Sequence, residues 1–184
     1  KSAMLLEQTS LIKLLFSKEW KPMQGLFGLW PFIVSSLWVT ILALLIAGPI
    51  CLLAAIYMTQ YTKKYFLRMM HPVIDILAGI PSVVYGVWGV IFVVPLVSNH
   101  LAPFFNTQSS GYSILTGAIV LAVMIIPFIL NILIEVFRNI PDQLTEASLS
   151  LGATHWETVK HVLVRKAFPG IVSAFGLGIS RAFG

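Results

Sequence analysis

The sequence predicts an all-α fold, a polytopic bundle of transmembrane helices. Of its 184 residues 58% are hydrophobic and only 10% are charged, whereas soluble domains carry about 25% charged residues. Mean hydropathy is +0.90. The net charge of +5 is spread over an apolar chain without a continuous basic face, so it favours orientation in a membrane over nucleic-acid binding. A disordered chain is excluded by the same composition, and a disulfide scaffold by the single cysteine, Cys51.

The first predicted span is a single long helix over residues 31–61. Residues 22–62 contain no charged side chain, and about 20 apolar residues are enough to cross a bilayer. Trp30 supplies an interfacial aromatic ring, and Pro31 suits the first helical turn. A helix over 31–61 is about 45 Å long at 1.5 Å per residue, so it must tilt or kink, and the Gly48-Pro49 pair is the candidate kink.

The second predicted span, residues 69–97, is interrupted in its middle. His71-Pro72 is expected to begin it, with Asp75 either in the first turn, where a carboxylate suits the positive helix end, or paired with Arg68. Residues 79–82 read Gly-Ile-Pro-Ser and break the apolar stretch. Such a break is tolerated in a membrane where protein or a cavity satisfies the freed backbone groups. Residues 79–86 are therefore expected to face the protein interior.

Two further spans follow a polar, turn-rich loop at 99–111. They cover residues 112–137 and 167–184, the latter incomplete, and are separated by a charged connection at 138–166. The chain begins at Lys1 rather than Met and ends inside an apolar run, which predicts a fragment truncated at one or both ends.

The distribution of Lys and Arg predicts the orientation of these spans. Basic residues concentrate in the 62–68 and 138–166 connections, the 99–111 loop has none, and the N-terminal segment has fewer than the two connections together. Cytoplasmic connections carry the excess of Lys and Arg. Residues 1–28 are therefore predicted to be extracytoplasmic, 29–184 to form the transmembrane domain, and 138–166 to form a cytoplasmic loop.

Within the 138–166 connection the pattern predicts two helices joined by a tight turn. Pro141 and Asp142 suit a helix start, and Gly152 suits its end. Thr154 and Glu157 then form a capping-box pattern for the second helix. From the residues alone, an amphipathic pair on the membrane surface and a docking element for a cytoplasmic partner remain equally open.

Glu146-Ala147-Ser148, followed after three residues by Gly152, resembles the EAA loop of bacterial ABC importer permeases. The resemblance implies that the helix before Gly152 docks on a separate ATPase subunit, whose nucleotide-driven closure is passed to the transmembrane helices. The family pattern continues with Ile-x-Leu-Pro ten residues after the glycine. Here that proline is replaced by Arg165, outside the docking helix.

Three other stretches resemble the phosphate-specific (Pst) branch of these permeases. They are Leu-Ala-Gly-Ile-Pro-Ser-Val-Val-Tyr-Gly at 77–86, Ser-Ser-Leu at 35–37 with Thr40, and Gly-Leu-Gly-Ile-Ser-Arg-Ala-Phe-Gly at 176–184. Residues 20–28 are similar to the C-type (PstC-like) member. The resemblance implies import of inorganic phosphate across the bacterial plasma (inner) membrane. It implies as partners a second permease subunit in a hetero- or homodimer, a cytoplasmic ATPase dimer, and a periplasmic or lipid-anchored phosphate-binding protein.

Arg181 is the strongest candidate for contact with the substrate. It lies well inside the last apolar run, and an arginine at mid-bilayer costs about 2.5–3.5 kcal/mol, so it should face an interior cavity. A guanidinium group matches phosphate oxygens, and the resemblance implies an arginine of the phosphate path at this position. A carboxylate partner beyond the chain, or snorkelling to the interface, remains open. Ser82 and Tyr85 at the helix break are further candidates to line the path.

The sequence does not predict an enzyme. It has no nucleophile–base constellation and no Gly-x-x-x-x-Gly-Lys-Ser/Thr loop, so ATP hydrolysis is assigned to a partner and no cofactor is expected. The four histidines are too scattered for a metal site, and Glu135 with Arg138 is expected to form a weak ion pair. A permease for molybdate, sulfate or an amino acid stays open, as does a channel or secondary transporter outside the ABC class.

Overall fold

The computed structural model describes residues 16–18, 20–21 and 26–183, and this part of the chain is almost entirely helical. Its only strands, Trp20–Lys21 (β1) and Leu26–Phe27 (β2), form a two-residue antiparallel pair ahead of the first helix. The predicted all-α fold is confirmed. Most of the predicted extracytoplasmic segment 1–28 lies outside the described residues, so its placement stays a prediction.

Six helices follow in the described chain, and four of them are long and apolar enough to cross a membrane. These four are α1 (Trp30–Tyr61), α3 (Ser82–Phe104), α4 (Ile114–Arg138) and α6 (His155–Phe183). The two shorter helices are α2 (Lys64–Gly79) and α5 (Asp142–Ser150). Helices α1, α3 and α6 each contain at least one π-helical turn of five residues.

Helix α4 is the centre of the fold, and α1 packs along it through small side chains. The buried face of α1 is a stripe with helical spacing: Thr40, Ala43, Ala47, Cys51 and Ala55. Small residues allow two helix backbones to approach closely. Helix α4 contributes larger buried side chains to the core, among them Ile125, Ile129, Leu133 and Phe137.

Helices α2 and α3 pack end to end along α4 and run antiparallel to it. His71 of α2 lies opposite Glu135, and further along the same path Gly89 of α3 lies against Val120. The predicted interruption of the second span is confirmed, because α2 ends at Gly79 and α3 begins at Ser82.

The predicted bounds of the second span, 69–97, are wrong. The helix at its start, α2, begins at Lys64 rather than at His71-Pro72, and the helix long enough to cross a membrane, α3, runs on to Phe104, into the predicted 99–111 loop. Leu67 and Met70 pack against the core in the added turns. The proline at 72 removes only one backbone hydrogen bond, and the helix continues through it because this apolar packing stabilises the turns before it. Asp75 is consequently in the middle of α2 rather than in its first turn.

The last span also begins earlier than predicted. It was expected from residue 167, but α6 runs from His155 through Phe183 without a break. No helix-breaking residue occurs between the cap at Thr154 and Pro169, and Val159 and Leu163 are buried in this added part. The predicted second helix of the 138–166 connection is therefore the first part of the final span.

The outer faces of the helices carry large exposed apolar side chains. Examples from four helices are Leu45, Leu53, Ile76, Val83 and Val172. Exposed apolar surface on this scale is typical of contact with lipid or with other transmembrane helices.

Candidate functional site

The break between α2 and α3 is held by hydrogen bonds to one carbonyl. The backbone N–H of Ile80 donates to the Leu77 carbonyl at 3.3 Å, and the Tyr85 hydroxyl donates to the same oxygen at 2.9 Å. Tyr85 thus supplies a partner for a backbone group that the interruption leaves without its helical N–H.

The expectation that residues 79–86 lie in the interior is wrong within this chain. Only Ile80 and Tyr85 are half-buried, and the other six positions are exposed. The reason is local: the Tyr85 hydroxyl and the turn itself satisfy the freed carbonyl, so the break does not require burial by a neighbouring helix of the chain.

Arg181 reaches this break from α6. Its Nη2 donates to the Ala78 carbonyl at 2.6 Å, and its Cζ lies 4.9 Å from the centre of the Phe128 ring. Residues 78 and 181 are far apart in sequence, so the contact depends on the packing of α2, α4 and α6 together. Among the described residues, no carboxylate forms an ion pair with Arg181.

A glycine one turn before Arg181 sets the approach of α6 to α4. A Cβ built on Gly178 would lie 2.5 Å from Cδ1 of Ile129, closer than carbon atoms pack. A larger residue at position 178 would require either the Ile129 side chain or α6 to shift.

Two cavities meet at the helix break. The first, of about 460 Å³, is lined by Arg181, Ser180, Ser82 and the backbone at 79–81. The second, of about 740 Å³, is mostly apolar and includes Ser82, Tyr85 and Ala182 in its wall. The structure thus places Arg181 and Ser82 on one cavity, and Tyr85 on the neighbouring cavity that shares Ser82.

The second candidate region is the turn between α5 and α6. Gly152 has φ +85°. This is the left-handed conformation expected of a glycine that follows the end of a helix. The N–H of Gly152 donates to the Leu149 carbonyl at 2.9 Å, and that of Ala153 to the Ser148 carbonyl at 3.3 Å. This pair of bonds is a Schellman motif.

The capping box predicted for the start of α6 is present. The Glu157 N–H donates to the Thr154 hydroxyl at 3.3 Å, and the Thr154 N–H donates to the Glu157 carboxylate at 2.8 Å. A hydrogen bond of 2.9 Å between the Ser148 and Thr158 hydroxyls joins α5 to α6. Further contact comes from His155, whose Nε2 lies 3.3 Å from the Gln60 carbonyl at the end of α1.

The surface of α5 is only partly used for packing within the chain. Leu144 and Ser148 are half-buried, whereas Glu146 and Ala147 are exposed. Leu151 is 89% exposed. The coupling residues predicted from the EAA-like pattern therefore include three accessible positions, Glu146, Ala147 and Gly152, and one, Ser148, that faces α6.

A polar network between α2 and α4 was not predicted as a unit. The predicted Glu135–Arg138 pair is present at 3.3 Å. Asp75 bonds to His71 and to Asn131, rather than to Arg68 or its own helix start. Polar residues at helical spacing within otherwise apolar helices were the signal, but the sequence does not show which two helices face each other.

Comparison with known proteins gives consistent matches. The family model described as "Binding-protein-dependent transport system inner membrane component" matches residues 47–184. A probable ABC transporter permease protein, YqgH of Bacillus subtilis, is 42% identical over 98% of this chain and 57% of its own length.

Two similar proteins are named as phosphate transport permeases. PstC of Haemophilus influenzae is 36% identical over 90% of this chain and 57% of its own length. The probable PstC of Methanocaldococcus jannaschii is 34% identical over 94% of this chain and 59% of its own length. The chain thus spans somewhat more than half the length of the relatives it matches. These matches confirm the resemblance that the motifs indicated.

Proposed function

Because the chain belongs to the family of binding-protein-dependent inner membrane transport components, we propose that it forms part of the substrate path of an ATP-driven importer of inorganic phosphate. It is a multi-pass membrane permease. The described residues include four helices able to cross a bilayer, and the family is a transport family.

The observation that carries the proposal is the position of the Arg181 guanidinium. It projects onto a cavity at a helix break, beside Ser82, and has a carbonyl and an aromatic ring as its described partners. Neither partner neutralises its charge. A guanidinium group in such a place attracts an anion and offers planar N–H donors that match phosphate oxygens.

Phosphate is favoured over other anions by the relatives. Two of the three named above carry the name of a phosphate transport system permease, one of them as probable. The stretch at 77–86 that resembles the same branch contributes residues 79–82 to the wall of the Arg181 cavity. Ser82 adds a hydroxyl, and Tyr85 holds the break at which the anion would pass.

Transport is coupled to ATP through α5. Its exposed positions Glu146 and Ala147, with Leu151 beyond them, form a surface that the other described residues leave uncovered. A cytoplasmic ATPase dimer occupies this surface and performs the hydrolysis. The Ser148–Thr158 bond then passes its movement to α6, the helix that carries Arg181. Alternating access follows if nucleotide binding stabilises one of two arrangements of these helices.

The remaining partners follow from the same assignment. A second permease subunit covers the open side of the two cavities, and a binding protein outside the inner membrane delivers phosphate.

Uptake of radiolabelled phosphate by cells that depend on the complete transporter tests the proposal. We expect Arg181→Ala to lower uptake at least about a hundredfold, and Arg181→Lys about tenfold, because lysine keeps the charge but loses the planar donor set. Ser173→Ala, on an exposed part of α6, is the matched control, since its hydroxyl bonds only to the Pro169 carbonyl of its own helix.

Three results would contradict the proposal. Wild-type uptake by Arg181→Ala would remove Arg181 from the path. Stronger competition by molybdate, sulfate or an amino acid than by unlabelled phosphate would assign a different substrate. Uptake that persists without the ATPase subunit would indicate a channel or secondary transporter.

A further inference from the structure

Helices α2 and α4 present matching polar faces to each other. On α2, His71 and Asp75 are one turn apart, and the Ala78 carbonyl follows on the same face. On α4, Asn131 and Glu135 are likewise one turn apart. Residues three or four positions apart lie on one face of a helix, and the antiparallel packing brings the two rows to the same heights.

The side chains of these rows form a continuous chain of hydrogen bonds. From the cytoplasmic end, Nη1 of Arg138 lies 3.3 Å from Oε1 of Glu135, and that oxygen lies 3.2 Å from Nε2 of His71. Nδ1 of His71 lies 3.3 Å from Oδ2 of Asp75. Nδ2 of Asn131 donates to the other Asp75 oxygen at 2.7 Å.

Each ring nitrogen of His71 lies against a carboxylate oxygen, one on α2 and one on α4, so the imidazole bridges the two helices whichever nitrogen donates. Arg138 adds a cation beside Glu135, and the Asn131 amide donates to Asp75 at the other end of the network. Among the described residues, no group of three His, Cys, Asp or Glu side chains is arranged to hold a metal ion.

The amide of Asn131 has one hydrogen bond among the described residues, the bond to Asp75. Its Oδ1 is buried without a hydrogen-bond partner among the described residues. The bond from Nδ2 to Asp75 is therefore the contact that orients the amide, and it ties the middle of α4 to α2 one turn below Ala78.

The two ends of the network lie next to the two candidate functional regions. Arg138 ends α4, just before the turn that leads to Asp142 at the start of α5. Asp75 lies one turn from Ala78, whose carbonyl accepts from Arg181. Phe128, one turn beyond Asn131 on α4, supplies the ring under the same guanidinium.

We propose that this polar network holds α2 against α4, so that the Ala78 carbonyl and the Phe128 ring together fix the guanidinium of Arg181. Its positioning residues are Asn131, Asp75, His71, Glu135 and Arg138. The network does not contact the substrate, because its two carboxylates repel an anion. It acts through Arg181. This inference rests on the proposed role of Arg181 in phosphate uptake.

A double-mutant cycle in the complete transporter tests the proposal, with phosphate uptake measured per assembled complex. Asn131→Asp places a second carboxylate against Asp75, and we expect uptake to fall about tenfold. In an Arg181→Lys background the same substitution should lower uptake less than about threefold, because lysine does not use the carbonyl-and-ring geometry that the network maintains. Asn99→Asp, the same chemical change at an exposed position of α3, should have no effect.

The reciprocal exchange Asp75→Asn with Asn131→Asp restores an amide–carboxylate pair between the same two positions. We expect it to recover at least about half of the uptake that Asn131→Asp loses. A purely structural role would change the amount of assembled complex and leave uptake per complex unchanged.

The outcomes separate the two proposals. Independent effects of Asn131→Asp and Arg181→Lys that multiply to about a hundredfold, or no effect of Asn131→Asp in the wild-type background, would overturn the positioning role alone. Wild-type uptake by Arg181→Lys and Arg181→Ala would overturn the role of Arg181, and the positioning role with it.

Discussion

The turn between α5 and α6 and the break between α2 and α3 both interrupt helices, but they are stabilised in different ways. At the turn, Gly152 and the Thr154–Glu157 box satisfy the helix ends with groups a few residues away. At the break, the Tyr85 hydroxyl holds the Leu77 carbonyl, and Arg181 bonds to Ala78 from the other end of the described chain.

The difference indicates which region can be displaced as a unit with its hydrogen bonds intact. The turn is a self-contained unit that keeps its geometry if α5 is displaced as a whole, as a coupling element requires. The break depends on how α2, α4 and α6 pack, so a shift of α6 changes the surroundings of Arg181 directly. If α5 couples to an ATPase as proposed, a displacement would begin at a locally rigid turn and end at a site that responds to helix packing.

Apart from the substitutions of Arg181, the largest effect is expected from Gly152, where the turn depends on one backbone conformation. Gly152→Val places a β-branched residue at φ +85°, and the left-handed region costs about 1–2 kcal/mol for an ordinary residue and more for a β-branched one. We expect phosphate uptake to fall more than about tenfold, since the Schellman bonds and the path of the chain into α6 would be lost.

Gly152→Asn is the matched control, because asparagine tolerates the left-handed region at helix ends. It should retain most of the uptake. Equal losses for valine and asparagine would mean that the accessible surface at residue 152, rather than its backbone conformation, is what matters.

These two regions also differ in how far the sequence predicted them. The glycine turn and the capping box are confirmed as predicted, because their signals are local and the partners are three to five residues apart. The helix break and Arg181 were recognised as unusual in an apolar chain. The Arg181 partners Ala78 and Phe128 were missed, as was the Asn131 partner of Asp75, because each contact is between helices distant in sequence.

The two wrong helix starts have the same cause. His71-Pro72 and residue 167 were chosen from proline, charge and hydropathy, all local features. The structure begins α2 and α6 earlier because Leu67, Met70, Val159 and Leu163 find core partners in other helices.

An intermediate effect is expected at the break. Tyr85→Phe removes the hydroxyl that donates to the Leu77 carbonyl but keeps the ring, and such a bond contributes about 1 kcal/mol. The Ile80 N–H still donates to this carbonyl, so the loss is partial, and we expect about a threefold to fivefold fall in phosphate uptake.

Tyr65→Phe, at an exposed position of α2, controls for the loss of a hydroxyl as such. Uptake by Tyr85→Phe equal to that of Tyr65→Phe would show that the break keeps its shape without the Tyr85 bond.

The smallest effect is expected where the turn joins α6. Ser148→Ala removes the 2.9 Å bond to Thr158, whose hydroxyl still donates to the Thr154 carbonyl at 3.0 Å. No buried polar group is left without a partner, so uptake should fall less than about threefold. ATP hydrolysis by the complex should be unchanged, because the bond transmits movement rather than binding the ATPase.

Ser150→Ala removes a hydrogen bond confined to α5 and should leave both rates unchanged. A rise in ATP hydrolysed per phosphate in Ser148→Ala alone would identify this hydroxyl pair as the joint between the turn and the helix that carries Arg181, and equal ratios in both variants would exclude it.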